Sequence, residues 1–256
     1  MAFAAFDLTG KVVLVTGGNG GIGLGFAEGC ARAGADIAIW GTNAAKTAAA
    51  VGRLSAHGTR VAGFEVSVAD EAAVAEGFAR TVDTFGRVDT CFANAGVIGG
   101  AASFMQLGLD EWRRVMAVNL DGAFLTLREA ARHMTLRGGG GSLVVTASVA
   151  GLEGAARSEH YGASKGAVVS MMRGIAAELG RDGIRCNAVL PGWVESDMTG
   201  AIFANPRFQD KVLPRVPVRR WGRPEDFAGI AIYLASDASS FHTGDCIVID
   251  GGYTIF

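Results

Sequence analysis

The feature that most constrains the fold of this 256-residue chain is a regular alternation of short β-branched runs with longer segments of helical periodicity. A strand followed by a helix and then by another strand favours a parallel sheet with right-handed crossovers. The predicted strands are 11–16, 37–40, 60–66, 88–92, 142–147, 184–190 and 246–249. The predicted helices are 22–33, 44–57, 70–85, 109–136, 159–181 and 224–235. The alternation predicts an α/β doubly wound parallel sheet, with helices on both faces, in a single domain spanning residues 1–256.

The composition excludes several classes of protein. Half of the residues are hydrophobic, yet no run approaches the 18 consecutive apolar residues of a membrane span. The apolar excess fits strands that are buried on both faces of a parallel sheet. The formal net charge of −2 offers no basic field for nucleic acid or anionic lipid. We therefore expect neither a nucleic-acid partner nor a membrane partner.

Four cysteines, at positions 30, 91, 186 and 246, are scattered and form no Cys-x-x-Cys pair. This spacing is typical of reduced core thiols and differs from that of disulfide frameworks or zinc sites. The first seven residues lack the basic and apolar regions of a signal peptide. We therefore expect a cytoplasmic protein without a metal site.

The segment from Thr16 to Gly23 is rich in glycine and lies between a predicted strand and a predicted helix. Without β-carbons, the backbone can approach a pyrophosphate, whose charge meets the free N–H groups at the start of the helix. Two spacings fit, one with glycines at 18, 20 and 23, and one with Thr-Gly at 16–17 and Gly-Ile-Gly at 21–23. A nucleoside triphosphate loop is disfavoured because no Lys-Ser/Thr pair follows the glycines. A flexible turn is the alternative interpretation.

Tyr161 and Lys165 lie four residues apart in a predicted helix and therefore share one face. A phenol has a pKa of about 10, and a nearby ammonium favours the phenolate. The pair is thus suited to proton exchange near neutral pH. His160 beside them is expected to be exposed, where it could contact a substrate, although a lone exposed histidine at such a position is more often incidental. The alternative is that Tyr161 and Lys165 only occupy the rim of an amphipathic helix.

Further motifs accompany the glycine loop and the tyrosine–lysine pair. Ala-Asn-Ala-Gly at 93–96 follows the fourth strand, and Asn119 lies in the long predicted helix. Ser148 ends the fifth strand, and Pro-Gly-Trp-Val-Glu-Ser at 191–196 follows the sixth. Together with the Thr-Gly spacing of the loop, these motifs are similar to those of the short-chain dehydrogenase/reductase family over nearly the whole chain. The resemblance implies a Rossmann-like fold and extends to β-ketoacyl reductases and to sugar or alcohol dehydrogenases.

The resemblance also implies a function, namely an NAD(P)-dependent oxidoreductase that transfers a hydride between nicotinamide and a carbonyl or secondary alcohol. Tyr161 would exchange a proton with the substrate oxygen, and Ser148 would hydrogen-bond that oxygen. Lys165 would bind the nicotinamide ribose and lower the pKa of Tyr161, while Asn119 would hold a water that links Lys165 to solvent. The residues implied to bind the cofactor are Gly17, Asn19, Gly21, Ile22, Gly23, Thr42, Asn43, Glu65, Val66, Asn94, Gly96, Tyr161, Lys165, Pro191, Gly192, Val194 and Ser196.

The end of the second strand bears on the choice between NAD and NADP. An acidic residue there would accept the ribose hydroxyls of NAD, but the position is Gly41. An arginine at the next position would meet the NADP phosphate, but the residue is Thr42. Lys46 is the nearby cation, and a 2′-phosphate with so little basic partnership is the less supported choice. We therefore favour NAD over NADP.

Specificity is expected to reside in residues 193–223, an irregular and proline-containing stretch that predicts a substrate-binding loop region. Trp193, Met198, Phe203 and Trp221 could line an apolar substrate pocket or belong to the core. The family resemblance implies a homotetramer with contacts on the helices around 109–136 and 159–181. A noncatalytic dinucleotide-binding sensor or scaffold of the same fold is the alternative function.

Overall fold

The computed structural model describes residues 4–255, which form one parallel sheet with helices on both faces. The strands are β1 (Val12–Thr16), β2 (Asp36–Gly41), β3 (Val61–Glu65), β4 (Thr90–Ala93), β5 (Gly141–Thr146), β6 (Ile184–Pro191) and β7 (Cys246–Ile249). The α-helices are α1 (Gly21–Arg32), α2 (Ala44–Ser55), α3 (Glu71–Phe85), α4 (Leu109–Met116), α5 (Gly122–Arg137), α6 (Ala150–Glu153), α7 (Glu159–Leu179), α8 (Gly200–Phe203), α9 (Pro206–Val212) and α10 (Ala228–Ala235). The sheet order is β3-β2-β1-β4-β5-β6-β7, and every pairing is parallel.

The predicted fold class is confirmed, and most element bounds shift by one or two residues. Three predictions need correction. The long helix predicted at 109–136 is interrupted by a π-helical turn at Ala117–Asp121. The predicted helix at 224–235 begins with the 3₁₀ turn Pro224–Phe227, and the stretch 193–223 contains α8 and α9. Periodicity alone did not reveal these features, because single π or 3₁₀ turns and helices of four to seven residues are too short to show a clear period of their own.

The core consists of two apolar layers, one on each face of the sheet. All five residues of β1 are buried, because helices cover both of its faces. Val13 and Val15 pack in the layer that holds α1, α2 and α10. Leu14, on the opposite face, packs in the layer that holds α3, α5 and α7. A strand with period-two side chains and two covered faces is therefore hydrophobic at every position.

The connections position a functional crevice at the centre of the sheet. The chain leaves β1 toward β2 on one side, and later leaves β4 toward β5 on the other. The loops after β1 and β4 therefore diverge, which opens a crevice at the carboxyl ends of these neighbouring strands.

Residues 1–3 lie outside the described residues, so the prediction made for the start of the chain falls partly outside the structure. Among residues 4–255, no helix has both the length and the apolar character needed to cross a membrane. Nor does this part of the chain bring together three or more His, Cys, Asp or Glu side chains that could hold a metal ion.

Candidate active site

A cleft of about 450 Å³ lies at the carboxyl ends of the central strands. The loop after β1 forms one part of its wall, and the segments that follow β4, β5 and β6 form others. The Tyr161 and Lys165 side chains of α7 also line it. The strand ends therefore gather into one cavity residues that lie far apart in the sequence.

The glycine loop provides a backbone cradle in this cleft. Gly17 and Gly21 have left-handed φ values of 64° and 50°, which favour glycine. A β-carbon on Gly23 would lie 2.3 Å from the carbonyl oxygen of Gly17, so only glycine lets α1 pack this close to the loop. Gly20 is the N-cap residue of α1 and offers no side-chain cap, which leaves the first helical N–H groups available to an anion. The loop therefore fits the pyrophosphate of a dinucleotide.

Asn94 ties together the ends of three strands beneath the cradle. Its Nδ2 donates to the carbonyl oxygen of Thr16 at 3.0 Å, and its Oδ1 accepts from Oγ1 of Thr146 at 3.0 Å. The backbone N–H groups of Asn94 and Ala95 donate to Oγ1 of Thr16, each at 3.0 Å. These bonds hold β1, β4 and β5 in register where they meet the cleft.

Tyr161 and Lys165 share one face of α7, as predicted. The Lys165 Nζ lies 5.7 Å from the centroid of the Tyr161 ring and donates a hydrogen bond of 2.6 Å to the carbonyl oxygen of Thr146. A hydrogen bond also links Tyr161 to the hydroxyl of Ser148, which lies two residues beyond β5. The phenol, the ammonium and the serine hydroxyl therefore converge on the same cleft.

Burial dominates the electrostatics of this group. It raises the pKa of the Tyr161 phenol, and the Ser148 hydrogen bond lowers that pKa in part. Burial also lowers the pKa of the Lys165 ammonium to about 8. The net direction of the Tyr161 pKa is therefore upward, whereas the sequence predicts a lowering by Lys165; in this geometry the Lys165 ammonium lies over the ring and hydrogen-bonds the Thr146 carbonyl, not the phenol oxygen.

Asn119 lies within the π turn that separates α4 from α5, and its side chain does not line the cleft. Its Oδ1 accepts from the N–H of Val97 at 2.8 Å, and its Nδ2 donates to the carbonyl of Val97 and to Oγ of Ser164. Both amide donors are thus engaged, and the side chain braces the loop after β4 against α7. The water that Asn119 is predicted to hold between Lys165 and solvent stays a prediction, and the structure shows a bracing role for the side chain.

The expectation that His160 is exposed is wrong. The side chain is fully buried, and its Nε2 lies 3.7 Å from Oε1 of Glu111 in α4. A β-carbon on Gly99 would lie 2.0 Å from that nitrogen. Because α7 is covered by α4 and by the loop after β4, His160 faces the protein interior, although it follows the exposed loop before α7.

Comparisons with known proteins agree with this geometry. A family model described as enoyl-(acyl carrier protein) reductase matches residues 17–254. L-rhamnose 1-dehydrogenase (NAD(P)(+)) of a Sphingomonas species is 38% identical over 246 residues, which cover 96% of each protein. The chain belongs to the short-chain dehydrogenase/reductase family. The resemblance seen in the motifs is thereby confirmed.

Solved structures of relatives support the same assignment. A short-chain type dehydrogenase/reductase from Mycobacterium marinum has a TM-score of 0.93 and 34% identity, with 98% of each chain covered. A gluconate 5-dehydrogenase from Burkholderia cenocepacia, in complex with NADP and tartrate, has a TM-score of 0.94 and 35% identity, with both chains fully covered at 100%. The predicted class of activity, NAD(P)-dependent oxidoreduction at an alcohol or carbonyl group, is confirmed by these relationships in preference to a noncatalytic sensor or scaffold.

Most of the predicted cofactor residues lie along the cleft. Those that line it are Gly17, Asn19, Gly21, Ile22, Thr42, Val66, Asn94, Gly96, Tyr161, Lys165, Pro191, Gly192, Val194 and Ser196. Gly23, Asn43 and Glu65 do not. Gly23 permits close packing, Asn43 caps α2 through a bond from the N–H of Lys46, and Glu65 is exposed at the end of the edge strand β3. The cofactor-binding role of these three residues therefore stays a prediction.

Gly41 and Lys46, considered above for the choice of cofactor, and Met198, considered for the substrate pocket, also line the cleft. The lining residues absent from the sequence prediction are Gly20, Trp40, Ser67, Val68, Ala69, Ala95, Val97, Val118, Thr146, Ala147, Asp197 and Thr199. Many of them adjoin predicted residues, so the strand ends and loops could have identified them. Asp197 follows the predicted Ser196, but its contact with Lys46 depends on the path of the loop after β6.

The stretch at 193–223 builds a small aromatic core beside the cleft. Phe203 stacks on Trp221 with ring centroids 4.4 Å apart, and Trp193 packs edge-on against Phe208 at 4.9 Å. Met198 lines the cleft and is partly exposed. Of the two predicted roles, core packing therefore applies to Phe203 and Trp221, whereas Met198 is available to a bound molecule.

Proposed function

We propose that the cleft binds NAD or NADP, with NAD favoured, and that Tyr161 exchanges a proton with a small carbonyl or secondary alcohol substrate. The observation that carries this proposal is the convergence of Tyr161, Ser148 and Lys165 on a cavity whose other end is the glycine cradle. Gly17, Asn19, Gly21 and Ile22 line the cradle and would hold the pyrophosphate. Hydride donation and acceptance are the chemistry of the bound nicotinamide.

The protein side chains then donate the proton and hydrogen-bond the substrate oxygen. Because burial raises the pKa of Tyr161, the phenol is protonated at neutral pH and can donate to a substrate carbonyl oxygen during reduction. The Ser148 hydroxyl can hydrogen-bond the same oxygen as negative charge develops. The Lys165 ammonium supplies a fixed positive charge beside them, and Asn119 acts as a positioning residue through Val97 and Ser164.

The relatives guide the choice of substrate class. L-rhamnose 1-dehydrogenase and gluconate 5-dehydrogenase are named for a sugar and a sugar acid. We therefore propose a polyhydroxylated substrate as the first class to test, within a panel that also holds simple ketones, β-keto esters and sterols. We further propose that the protein is cytoplasmic and forms a homotetramer. The exposed apolar side chains on and before α4 support the assembly.

The decisive test replaces Tyr161 by Phe, a change that keeps the ring and removes the proton. Binding of NADH and NADPH is followed by quenching or by protection from thermal unfolding, and turnover is followed on the substrate panel. We expect cofactor binding within about threefold of the wild type and turnover reduced by at least roughly 10²-fold, in line with loss of a general acid. Retained turnover in the variant would overturn the role given to Tyr161.

A further inference from the structure

The charged residues that line the cleft fall into two groups. Within the described lining, Lys165 is buried beside Tyr161, whereas Lys46 and Asp197 are exposed and lie at the mouth. The Nζ of Lys46 lies 2.6 Å from Oδ2 of Asp197. Lys46 belongs to α2 and Asp197 to the loop after β6, 151 residues further along the chain. This ion pair therefore joins two segments of the cleft lining that lie far apart in the sequence.

The Lys46 segment of the lining is where the adenosine ribose of a dinucleotide belongs. In such folds, the residue that ends the second strand contacts the ribose hydroxyls. Here a β-carbon on Gly41 would lie 2.1 Å from Nδ2 of Asn19, which itself donates to Oγ1 of Thr47 at 3.0 Å. A carboxylate at position 41 would therefore displace Asn19. Recognition of the ribose must come from other side chains.

The N-terminus of α2 adds positive electrostatic potential beside Lys46, where the adenosine ribose belongs. Asn43 caps the helix by accepting from the N–H of Lys46, and its carbonyl accepts from the N–H of Thr47. The earlier N–H groups, those of Ala44 and Ala45, have no acceptor within a helix that starts there. An anion beside Thr42 would meet these N–H groups and the Lys46 ammonium together.

We propose that Lys46 recognises the 2′-phosphate of NADP and that Asp197 competes for Lys46, so that this ion pair sets the ratio of NADP to NAD affinity. The inference rests on the proposed dinucleotide function. With NAD, Lys46 keeps its partner Asp197. With NADP, Lys46 must leave Asp197 for the phosphate, and the Asp197 carboxylate repels the phosphate across the mouth.

The electrostatics of Asp197 agree with this competition. The ammonium of Lys46 lowers the pKa of the Asp197 carboxyl, so the carboxylate is ionised at neutral pH. Asp197 thus adds negative charge at the one place where NADP carries more negative charge than NAD. A neutral side chain at this position should favour NADP.

The test measures dissociation constants of NADH and NADPH by fluorescence for the wild type, Asp197→Asn, Lys46→Met and the double variant. We expect Asp197→Asn to raise the ratio of NADPH to NADH affinity by roughly tenfold, and Lys46→Met to lower it by a similar factor, as for the gain or loss of one charge-assisted contact. In the double variant, most of the gain from Asp197→Asn should disappear. The differences should shrink at high salt, because both side chains are exposed.

A matched control is the ion pair of Lys11 and Asp237, with Nζ and Oδ1 2.5 Å apart, where Lys11 lies just before β1 at the opposite end of the sheet. Asp237→Asn changes the net charge equally and should leave the affinity ratio unchanged. A ratio that moves less than twofold in both Asp197→Asn and Lys46→Met, while NADH still binds, would overturn the role of the pair alone. If the wild type bound neither dinucleotide, the proposed function would itself fail.

Discussion

At the scale of single residues, the site contains two buried titratable groups, the Tyr161 phenol and the Lys165 ammonium. Each is tolerated in the interior because a neighbouring group hydrogen-bonds it. Lys165 is 4% exposed, and within the described residues no carboxylate forms an ion pair with it. Its one hydrogen bond to the Thr146 carbonyl recovers part of the hydration that the ammonium loses. The protein therefore accepts a cost in stability to keep a positive charge beside Tyr161.

The cost of burying the Lys165 ammonium predicts that Lys165→Met makes the protein more stable, by an amount that depends on pH. The pKa of Lys165 is lowered from 10.5 to about 8 by burial, so between these values the unfolded chain binds more protons and wild-type stability rises with pH. We expect the variant to be more stable than the wild type at pH 7 by on the order of 1–2 kcal/mol, after the lost hydrogen bond is subtracted. The advantage should shrink as the pH rises from about 8 toward 10.5.

Urea unfolding of both proteins between pH 7 and pH 9.5 would measure this difference. Lys46→Met, which removes an exposed lysine, serves as the control because an exposed ammonium loses little hydration on folding. A Lys165→Met protein that is less stable at pH 7, with a difference that does not change with pH, would contradict the assigned cost.

At the scale of elements, the glycines of α1 show how packing can override helix propensity. A β-carbon on Gly25 would lie 2.0 Å from the carbonyl oxygen of Pro224, and one on Gly29 would lie 2.8 Å from the Cα of Ala228. Helix α1 therefore lies directly against the segment that leads into α10. This close packing holds the end of α1 that faces the cleft in a fixed position.

We expect Gly25→Ala to destabilise the protein by roughly 2 kcal/mol or more, because the backbone of Pro224 cannot move without shifting α10. Gly52→Ala is the matched control. Gly52 lies in α2 with nothing within 4 Å of its would-be β-carbon, so alanine should stabilise the protein by up to about 1 kcal/mol through helix propensity. Thermal unfolding separates the two effects. Stabilisation by both substitutions would show that α1 and Pro224 can separate at little cost.

At the scale of the whole molecule, apolar side chains remain exposed around the start of α4 and on α5. Phe104, Leu109 and Phe124 are 66%, 59% and 44% exposed, respectively. Clusters of exposed apolar side chains commonly mark protein–protein interfaces. They lie in the region where the family resemblance implies contacts between subunits.

The proposed homotetramer predicts a particle of four times the 26.4 kDa chain mass in size-exclusion chromatography with light scattering. We expect Leu109→Glu combined with Phe124→Glu to yield smaller species, because each charge would be buried without a partner at an interface. Phe241→Glu is the control. Phe241 is fully exposed and lies before β7, outside the two helical regions of the implied contacts, so its replacement should leave the mass unchanged. A wild type that elutes as a monomer would refute the tetramer.

The sequence by itself determined the alternation of strands and helices, the glycine loop and the four-residue spacing of Tyr161 and Lys165. These features are local, because period, chain reversal and helical faces depend on residues that are close along the chain. The same local logic identified most of the residues at the strand ends that line the cleft. The same local motifs are also sufficient to identify the family.

Only the tertiary structure decided what those residues meet. The direction of the Tyr161 pKa follows from burial, and the bracing contacts of Asn119 follow from a π turn that packs against α7 and the loop after β4. The partner of Lys46 lies 151 residues away in another segment of the cleft lining. Burial and long-range partnership depend on how the layers pack in space, and two positions far apart in a sequence carry no local sign that their side chains will touch.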